Sequence, residues 1–231
     1  MLIYFALLAV PSSANAKDMD TSDGRAMFKT AFNPESYFQI NYFGGRADGS
    51  IGTEELILTV KVSARDDYLP AYAMAIAYTC EPDVKKPDRS LCQYTARMLR
   101  FKQHGDDEYG SALALMTSMA KAKNKRAKRQ AYKRGGLEWL ETKLIGCEGA
   151  IEAMDQLATK ADWKPSLHYT RIKMEDRDLI LHPAQMWITM NGNDQISRWQ
   201  GWRNGNGAAY GVRLLVEKLD NCWHPSEAAK P

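Results

Sequence analysis

Residues 55–63 read ELILTVKVS, and this stretch decides the fold class. The apolar side chains that fall on one side of an extended chain are Leu56, Leu58, Val60 and Val62. Thr59, Lys61 and Ser63 fall on the other side. This period of two is typical of a β-strand with one face against a core. The sequence therefore predicts a sheet with a half-buried strand at this point.

The residues before this strand predict its partner. Residues 36–43 (SYFQINYF) also alternate, and turn signals follow them at Gly44-Gly45 and in residues 48–52 (DGSIG). We therefore expect the two stretches to pair as a hairpin. Residues 17–35 are polar and irregular, so we expect a loosely held segment there.

The residues after the strand predict a helical middle section. Residues 68–80 alternate small and large side chains, as a strand could, but their alanines and Pro70 favour a helix. Spacings of three and four between apolar residues predict further helices over residues 91–102, 137–145 and 147–158. A long helix that starts apolar and ends basic is predicted over residues 111–134.

The last third of the chain returns to β-structure. Strands are predicted over residues 168–174, 179–181, 186–190 and 195–202, with Asn191-Gly192 as a hairpin turn. Residues 208–219 then predict a C-terminal helix. Strands, helices, strands and a helix, in that order, indicate an α+β fold with a mostly antiparallel sheet. We expect one globular domain over residues 17–231.

The first sixteen residues have the layout of a secretory signal peptide. The apolar run MLIYFALLAV leads to Ala14-Asn15-Ala16, a small-x-small cleavage pattern, although no basic residue precedes the run. A short membrane anchor or a buried first helix is the alternative. Spanning a bilayer takes about 20 apolar residues, more than this run has. We expect a periplasmic or secreted protein with no transmembrane span in the mature chain.

Export changes the interpretation of the four cysteines, Cys80, Cys92, Cys147 and Cys222. An even number in an exported chain predicts two disulfides, and three connectivities are open. We favour Cys80–Cys92, which brackets a polar loop with two prolines, and Cys147–Cys222, which joins two candidate helices. A metal site is the alternative, but no metal-ligand spacing supports it.

Residues 121–134 (KAKNKRAKRQAYKR) are the most unusual segment. Eight of the fourteen residues are basic and none is acidic: Lys121, Lys123, Lys125, Arg126, Lys128, Arg129, Lys133 and Arg134. One interpretation is a patch for an acidic protein or an anionic envelope component such as lipid. The other is a solvated face balanced by acids elsewhere, which the formal net charge of only +3 favours. No nucleic acid partner is expected.

A second candidate is the aromatic segment from residue 198 to 210. Its candidate binding residues are Arg198, Trp199, Trp202 and Arg203. Exposed indoles with polar neighbours could stack on a sugar or hold a protein partner. The alternative is that the indoles belong to the core and that the Gly/Asn loop caps a helix.

The sequence contains no catalytic, cofactor or metal motif that would identify an enzyme. We therefore favour a non-catalytic binding or interaction protein. One alternative is an exported hydrolase whose site forms only in three dimensions, with His168, His182 and the acids of residues 175–178 as first suspects. A structural component of the cell envelope is the other.

Overall fold

The computed structural model describes residues 22–38, 54–64, 69–79, 93–102, 108–163, 184–192 and 195–226. The strands within these ranges are β1 (Glu54–Ser63), β2 (Pro70–Thr79), β3 (Gln93–Phe101), β4 (Leu137–Lys143), β5 (Gln185–Gly192), β6 (Gln195–Trp202) and β7 (His224–Pro225). The helices are α1 (Ser22–Ala31), α2 (Glu108–Lys121), α3 (Lys125–Arg134), α4 (Ala150–Lys160) and α5 (Ala208–Leu219).

The seven described strands form one antiparallel sheet in the order β6-β5-β1-β2-β3-β4-β7. This confirms the predicted α+β class with an antiparallel sheet. Strand β1 is the predicted strand, but its neighbours are β2 and β5 rather than residues 36–43. In that expected partner, Ser36 is the last residue of a 3₁₀ turn (Pro34–Ser36), and residues 39–43 lie outside the described ranges.

Strands β2 and β3 correct two helix predictions. Both strands lie in the middle of the sheet, and β2 is buried from Pro70 to Ala77 on both faces. A strand that is covered on both sides loses the polar alternation that identifies a strand in sequence. The alanines that favoured a helix, Ala73, Ala75 and Ala77, share one face of β2 and are fully buried. Helix α2 packs against this strand, where small side chains allow a close approach.

Different helices cover the two faces of the sheet. The first face carries the odd-numbered residues of β3, including Phe101, on which Phe32, the residue after α1, stacks with 6.0 Å between ring centroids. Helix α2 lies on this face as well, since Leu115 and Phe101 line one cleft. The second face is covered by α4 and α5, which pack against each other and bury Leu157 and Leu215. Buried residues from both sides form one continuous core.

The N-terminal segment is docked, which corrects the expectation of a loose segment from residue 22 onward. Phe28 of α1 and Phe32, which directly follows the helix, are both buried, and the Phe32 N–H donates to the Phe28 carbonyl at 2.8 Å. Tyr37 is also buried; its hydroxyl donates a hydrogen bond to the carbonyl of Ala31 (3.0 Å), and its ring meets Trp139 edge-on at 4.8 Å. Arg97 of β3 donates to the Tyr37 carbonyl at 2.7 Å.

The predicted helix over residues 111–134 is two helices. α2 ends at Lys121, and α3 begins after Asn124, whose side-chain oxygen accepts a hydrogen bond from the backbone N–H of Ala127 (2.9 Å). Asn124 therefore acts as the N-cap of α3. Residues 137–143 form strand β4 instead of the predicted helix and pair with β3, and a 3₁₀ turn follows at Leu144–Gly146.

The predicted C-terminal hairpin is present as β5 and β6, and α5 is the predicted last helix. The turn is displaced from its predicted place. Asn191 and Gly192 belong to β5, where Gly192 pairs with Gln195. The predicted strands over residues 168–174 and 179–181, together with His168 and His182, lie outside the described residues.

The predicted Cys147–Cys222 disulfide is present, with 5.9 Å between the Cα atoms. It joins the segment before α4 to the 3₁₀ turn after α5. Cys80 and Cys92 lie outside the described residues, so that pair stays a prediction. Among the described helices, none combines the length and the apolar character that crossing a bilayer requires.

Candidate functional sites

The basic segment predicted from the sequence spans the end of α2 and all of α3. Its exposed cations within the described residues form what we call the basic surface: Lys121, Lys123, Arg126, Lys133 and Arg134. Lys128 is half-buried and has an interaction partner. The side chains of Lys125 and Arg129 lie outside the described set. Ala131 of α3 packs against the core.

The basic surface has no acidic counterpart in the described part of the chain. None of its five cations forms an ion pair there. The ion pairs that do form among the described residues involve two arginines of β3: Arg97 meets Glu141 at 2.6 Å, and Arg100 meets Glu138 at 2.7 Å and Asp220 at 3.7 Å. The positive charge of the basic surface is therefore not neutralised by contacts with the described carboxylates.

A cleft opens beside the basic surface, between α2, α3 and the start of β4. Its floor is apolar and includes Phe101, Leu115 and Ala131, while Arg134 stands at its edge. Gly135 also lines the cleft and packs closely on Leu115, because a Cβ at this position would lie 2.4 Å from a methyl group of Leu115. Cations thus adjoin an apolar recess on this side of the molecule.

The structure separates the two tryptophans of the second candidate segment. Trp199 points to the second face of the sheet and is 3 % exposed, with its ring packed over Gly201. Trp202 points to the first face and is 45 % exposed. Side chains alternate between the two faces along a strand, so residues 199 and 202, which are three positions apart, lie on opposite faces. Of these two tryptophans, only Trp202 is available to a ligand.

The two arginines of this segment also separate. Arg198 lies on the first face with Trp202 and is exposed. Arg203 follows the strand and lies 5.7 Å from the ring centroid of Tyr72. The loop that begins at Arg203 is folded back by Arg213, which donates hydrogen bonds to the carbonyls of Arg203 and Gly205.

A backbone hydrogen bond ties the start of α5 to the residues after α4. The backbone N–H of Ala208 donates to the carbonyl of Asp162 at 3.2 Å. Gly207 has a φ of +65°, and a Cβ there would lie 2.5 Å from the same carbonyl oxygen. Glycine at this position therefore serves close packing between α5 and the residues after α4.

A further candidate surface lies on the first face of β1, β5 and β6. Of its residues, only Arg198 and Trp202 are predicted from the sequence. The strand register places its members in adjacent rows: Lys61 lies opposite Trp187, which lies opposite Gln200, and Gln185 lies opposite Trp202. We call this surface the tryptophan platform and define it as Lys61, Gln185, Trp187, Thr189, Arg198, Gln200 and Trp202. The side chains from β5 and β6 line a shallow depression.

The inner border of the platform is positively charged. The Nζ atom of Lys61 lies 5.8 Å from the centroid of the Trp187 ring. Burial, with a smaller contribution from the nearby charge of Lys29, lowers the pKa of Lys61 below its ordinary value. No carboxylate of the described residues pairs with Lys61 or with Arg198.

The sequence carries a signal for the platform in the residues that alternate with the apolar residues of β5. Trp187 and Thr189 occupy the positions between the apolar residues of β5, and Gln200 lies between the two tryptophans of β6. Large aromatic side chains on the polar side of an alternating strand are the pattern that could have identified this surface.

The described residues contain no group of three or more histidine, cysteine, aspartate or glutamate side chains arranged to hold a metal ion. The histidines of the hydrolase hypothesis lie outside those residues. The basic surface and the tryptophan platform are therefore the two candidate sites that the described residues offer. No protein-family model, no curated protein and no solved structure matches this chain.

Proposed function

We propose that the protein is an exported, non-catalytic binding protein that attaches through its basic surface to an anionic component of the cell envelope. The observation that carries the proposal is the set of five exposed cations at α2 and α3 without ion pairs in the described residues. A helix with so many like charges repels itself, by about 0.2–0.5 kcal/mol for each pair four residues apart. An anionic partner would remove this repulsion.

One further observation supports a membrane surface as the anionic component. The cleft beside α3 has an apolar floor, which suits part of a lipid better than a fully polar protein surface. Each lysine or arginine near an anionic bilayer contributes about 1 kcal/mol of attraction. Those of the five exposed cations that reach the bilayer are therefore expected to give measurable attachment.

The proposed location is supported by the leader-like first sixteen residues and by the Cys147–Cys222 disulfide. Structural disulfides persist in oxidising compartments and are rare in reducing ones. The proposal therefore requires that the protein bind while its disulfide is intact.

The test compares binding of the purified protein to vesicles with and without phosphatidylglycerol. We expect binding to the anionic vesicles alone, weakening as salt is raised, because salt screens exposed charges. The double variant Lys123→Glu/Arg126→Glu removes two cations, which costs about 2 kcal/mol or about thirtyfold in affinity. The two glutamates that the variant introduces repel the anionic lipid, which increases the loss of affinity.

A matched control changes the net charge equally at another place. Lys143 and Lys160 are exposed and belong to β4 and α4. The double variant Lys143→Glu/Lys160→Glu should retain most of the binding. Equal losses in the two double variants would show that net charge alone acts, and unchanged binding in both would rule out attachment through the basic surface.

A further inference from the structure

The tryptophan platform is a second surface that the proposed attachment through α3 does not use. The second face of β5 and β6 is buried, with Met186, Ile188 and Trp199 in the core. On the first face of the same two strands, Arg198, Gln200 and Trp202 are exposed. An exposed indole among polar side chains is an unusual feature of a surface that has no partner.

The side chains of the platform are those that bind rings bearing hydroxyl groups. Trp187 and Trp202 lie diagonally across β5 and β6, since each is opposite the residue two positions from the other. Diagonal neighbours on one sheet face are about 7–8 Å apart, which is within reach of a single bound chain. Gln185 and Gln200 lie between them, and the Gln200 amide donates a hydrogen bond to the Gln185 side chain at 3.3 Å.

The charge of the platform selects among such ligands. Lys61 and Arg198 flank Trp187 and Thr189, and Lys29 of α1 is close enough to lower the pKa of Lys61. The platform residues include no acid, and neither of its cations is paired with a described carboxylate. A neutral sugar would leave these cations without a partner, whereas an acidic sugar would supply one.

We propose that the tryptophan platform binds an acidic polysaccharide, with the indoles against sugar rings and Lys61 and Arg198 paired with the carboxylates of uronic-acid units. The glutamines and Thr189 would hydrogen-bond to the hydroxyl groups. An acidic peptide would satisfy the cations, but an extended peptide binds a sheet mainly through backbone hydrogen bonds at an edge. The flat face with its two indoles is better matched to sugar rings.

The experiment measures binding of polygalacturonate, neutral dextran and polyglutamate to the full-length protein by isothermal titration calorimetry. We expect polygalacturonate to bind and the other two polymers to bind at least tenfold more weakly. Trp202→Ala should weaken polygalacturonate binding about tenfold, a common effect of removing an aromatic anchor. Tyr210→Ala removes another exposed aromatic side chain, on α5, and should leave the affinity unchanged.

A second variant tests the role of charge at the same place. Arg198→Gln keeps a long polar side chain and removes the positive charge, so it should reduce the preference for polygalacturonate over dextran. Far-ultraviolet circular dichroism of each variant shows whether it has folded. Binding of polyglutamate as strongly as polygalacturonate would overturn the proposal, because charge alone would then explain the site.

The variants of the basic surface separate this proposal from the previous one. Lys123→Glu/Arg126→Glu should weaken vesicle binding and leave a platform-dependent affinity for polygalacturonate. If instead this double variant abolishes polygalacturonate binding and Trp202→Ala does not, the polymer binds at α3 and the platform proposal is wrong. No binding of polygalacturonate at all would also overturn it, without bearing on attachment to vesicles.

Discussion

At the scale of single residues, small side chains decide where large ones fit. Trp199 is buried against the second face of the sheet, and a Cβ on Gly201 would lie 2.7 Å from two of its ring carbons. No real Cβ contact is this short, so either the ring or the strand would have to move. Glycine at position 201 is therefore a packing requirement, whereas Gly146 has open space around it.

Gly201→Ala should lower the free energy of unfolding by about 1–3 kcal/mol, the usual cost of adding a methyl group to a packed core. The measurement is urea denaturation followed by tryptophan fluorescence. Gly146→Ala is the matched control, because no heavy atom lies within 4 Å of its added Cβ. Equal stability of the two variants would mean that Trp199 does not pack over Gly201.

At the scale of elements, the side chain of Asn124 caps the start of α3, which is a separate helix from α2. Asn124 accepts the hydrogen bond of the Ala127 N–H, and its own carbonyl accepts from the Lys128 N–H at 3.0 Å. The apolar-to-basic gradient of residues 111–134 suggested one long helix, but it contains a good N-cap in its middle. The cap marks the start of α3, a second helix that begins after α2 has ended at Lys121.

Asn124→Ala should destabilise the protein by about 1 kcal/mol, since an orphan N–H at the start of α3 loses its acceptor. The control is Gln130→Ala in the same helix, which is exposed and replaces a good helix former with a better one. Thermal unfolding measured by circular dichroism gives both values. A loss in the control as large as that in Asn124→Ala would argue against the capping role.

At the scale of the whole molecule, the Cys147–Cys222 disulfide connects parts of the chain that are 75 residues apart in sequence. It links the segment before α4 to the end of α5 and so closes the helical layer on the second face. The second predicted link, Cys80–Cys92, stays a prediction, because both cysteines lie outside the described residues.

Cys147→Ser/Cys222→Ser should lower the free energy of unfolding by about 4 kcal/mol in the loop-entropy model for a loop of this length. The measurement is urea denaturation under non-reducing conditions. A peptide map of the unreduced protein should recover both the 147–222 and the 80–92 linkages. Four free thiols in the mature protein, or a double variant as stable as the native chain, would contradict this account.

How far the sequence could predict the fold depended on where each element lies. Strand β1, the hairpin of β5 and β6 and helix α5 can be predicted because polar and apolar residue types alternate in them with the period of their element, even though Thr59 and Ser63 of β1 are themselves buried. Strands β2 and β3 resemble helices in sequence because they lack this polar alternation. The docking of α1 was missed although Phe28 and Phe32 have helical spacing, since only two strong apolar positions mark it.

What the sequence by itself determined is a set of local properties: the alternation of residues 55–63 and the eight cations of residues 121–134. It left three connectivities of the cysteines open, and the structure shows the Cys147–Cys222 bond. Only the tertiary structure decided which of those residues can meet a ligand. It turned Trp199 into the core and Trp202 to the surface, and it brought Lys61 from β1 beside Trp187 from β5. The physical reason is that a side chain's exposure depends on which helices cover its face of the sheet. That covering is set by contacts between residues far apart in the chain.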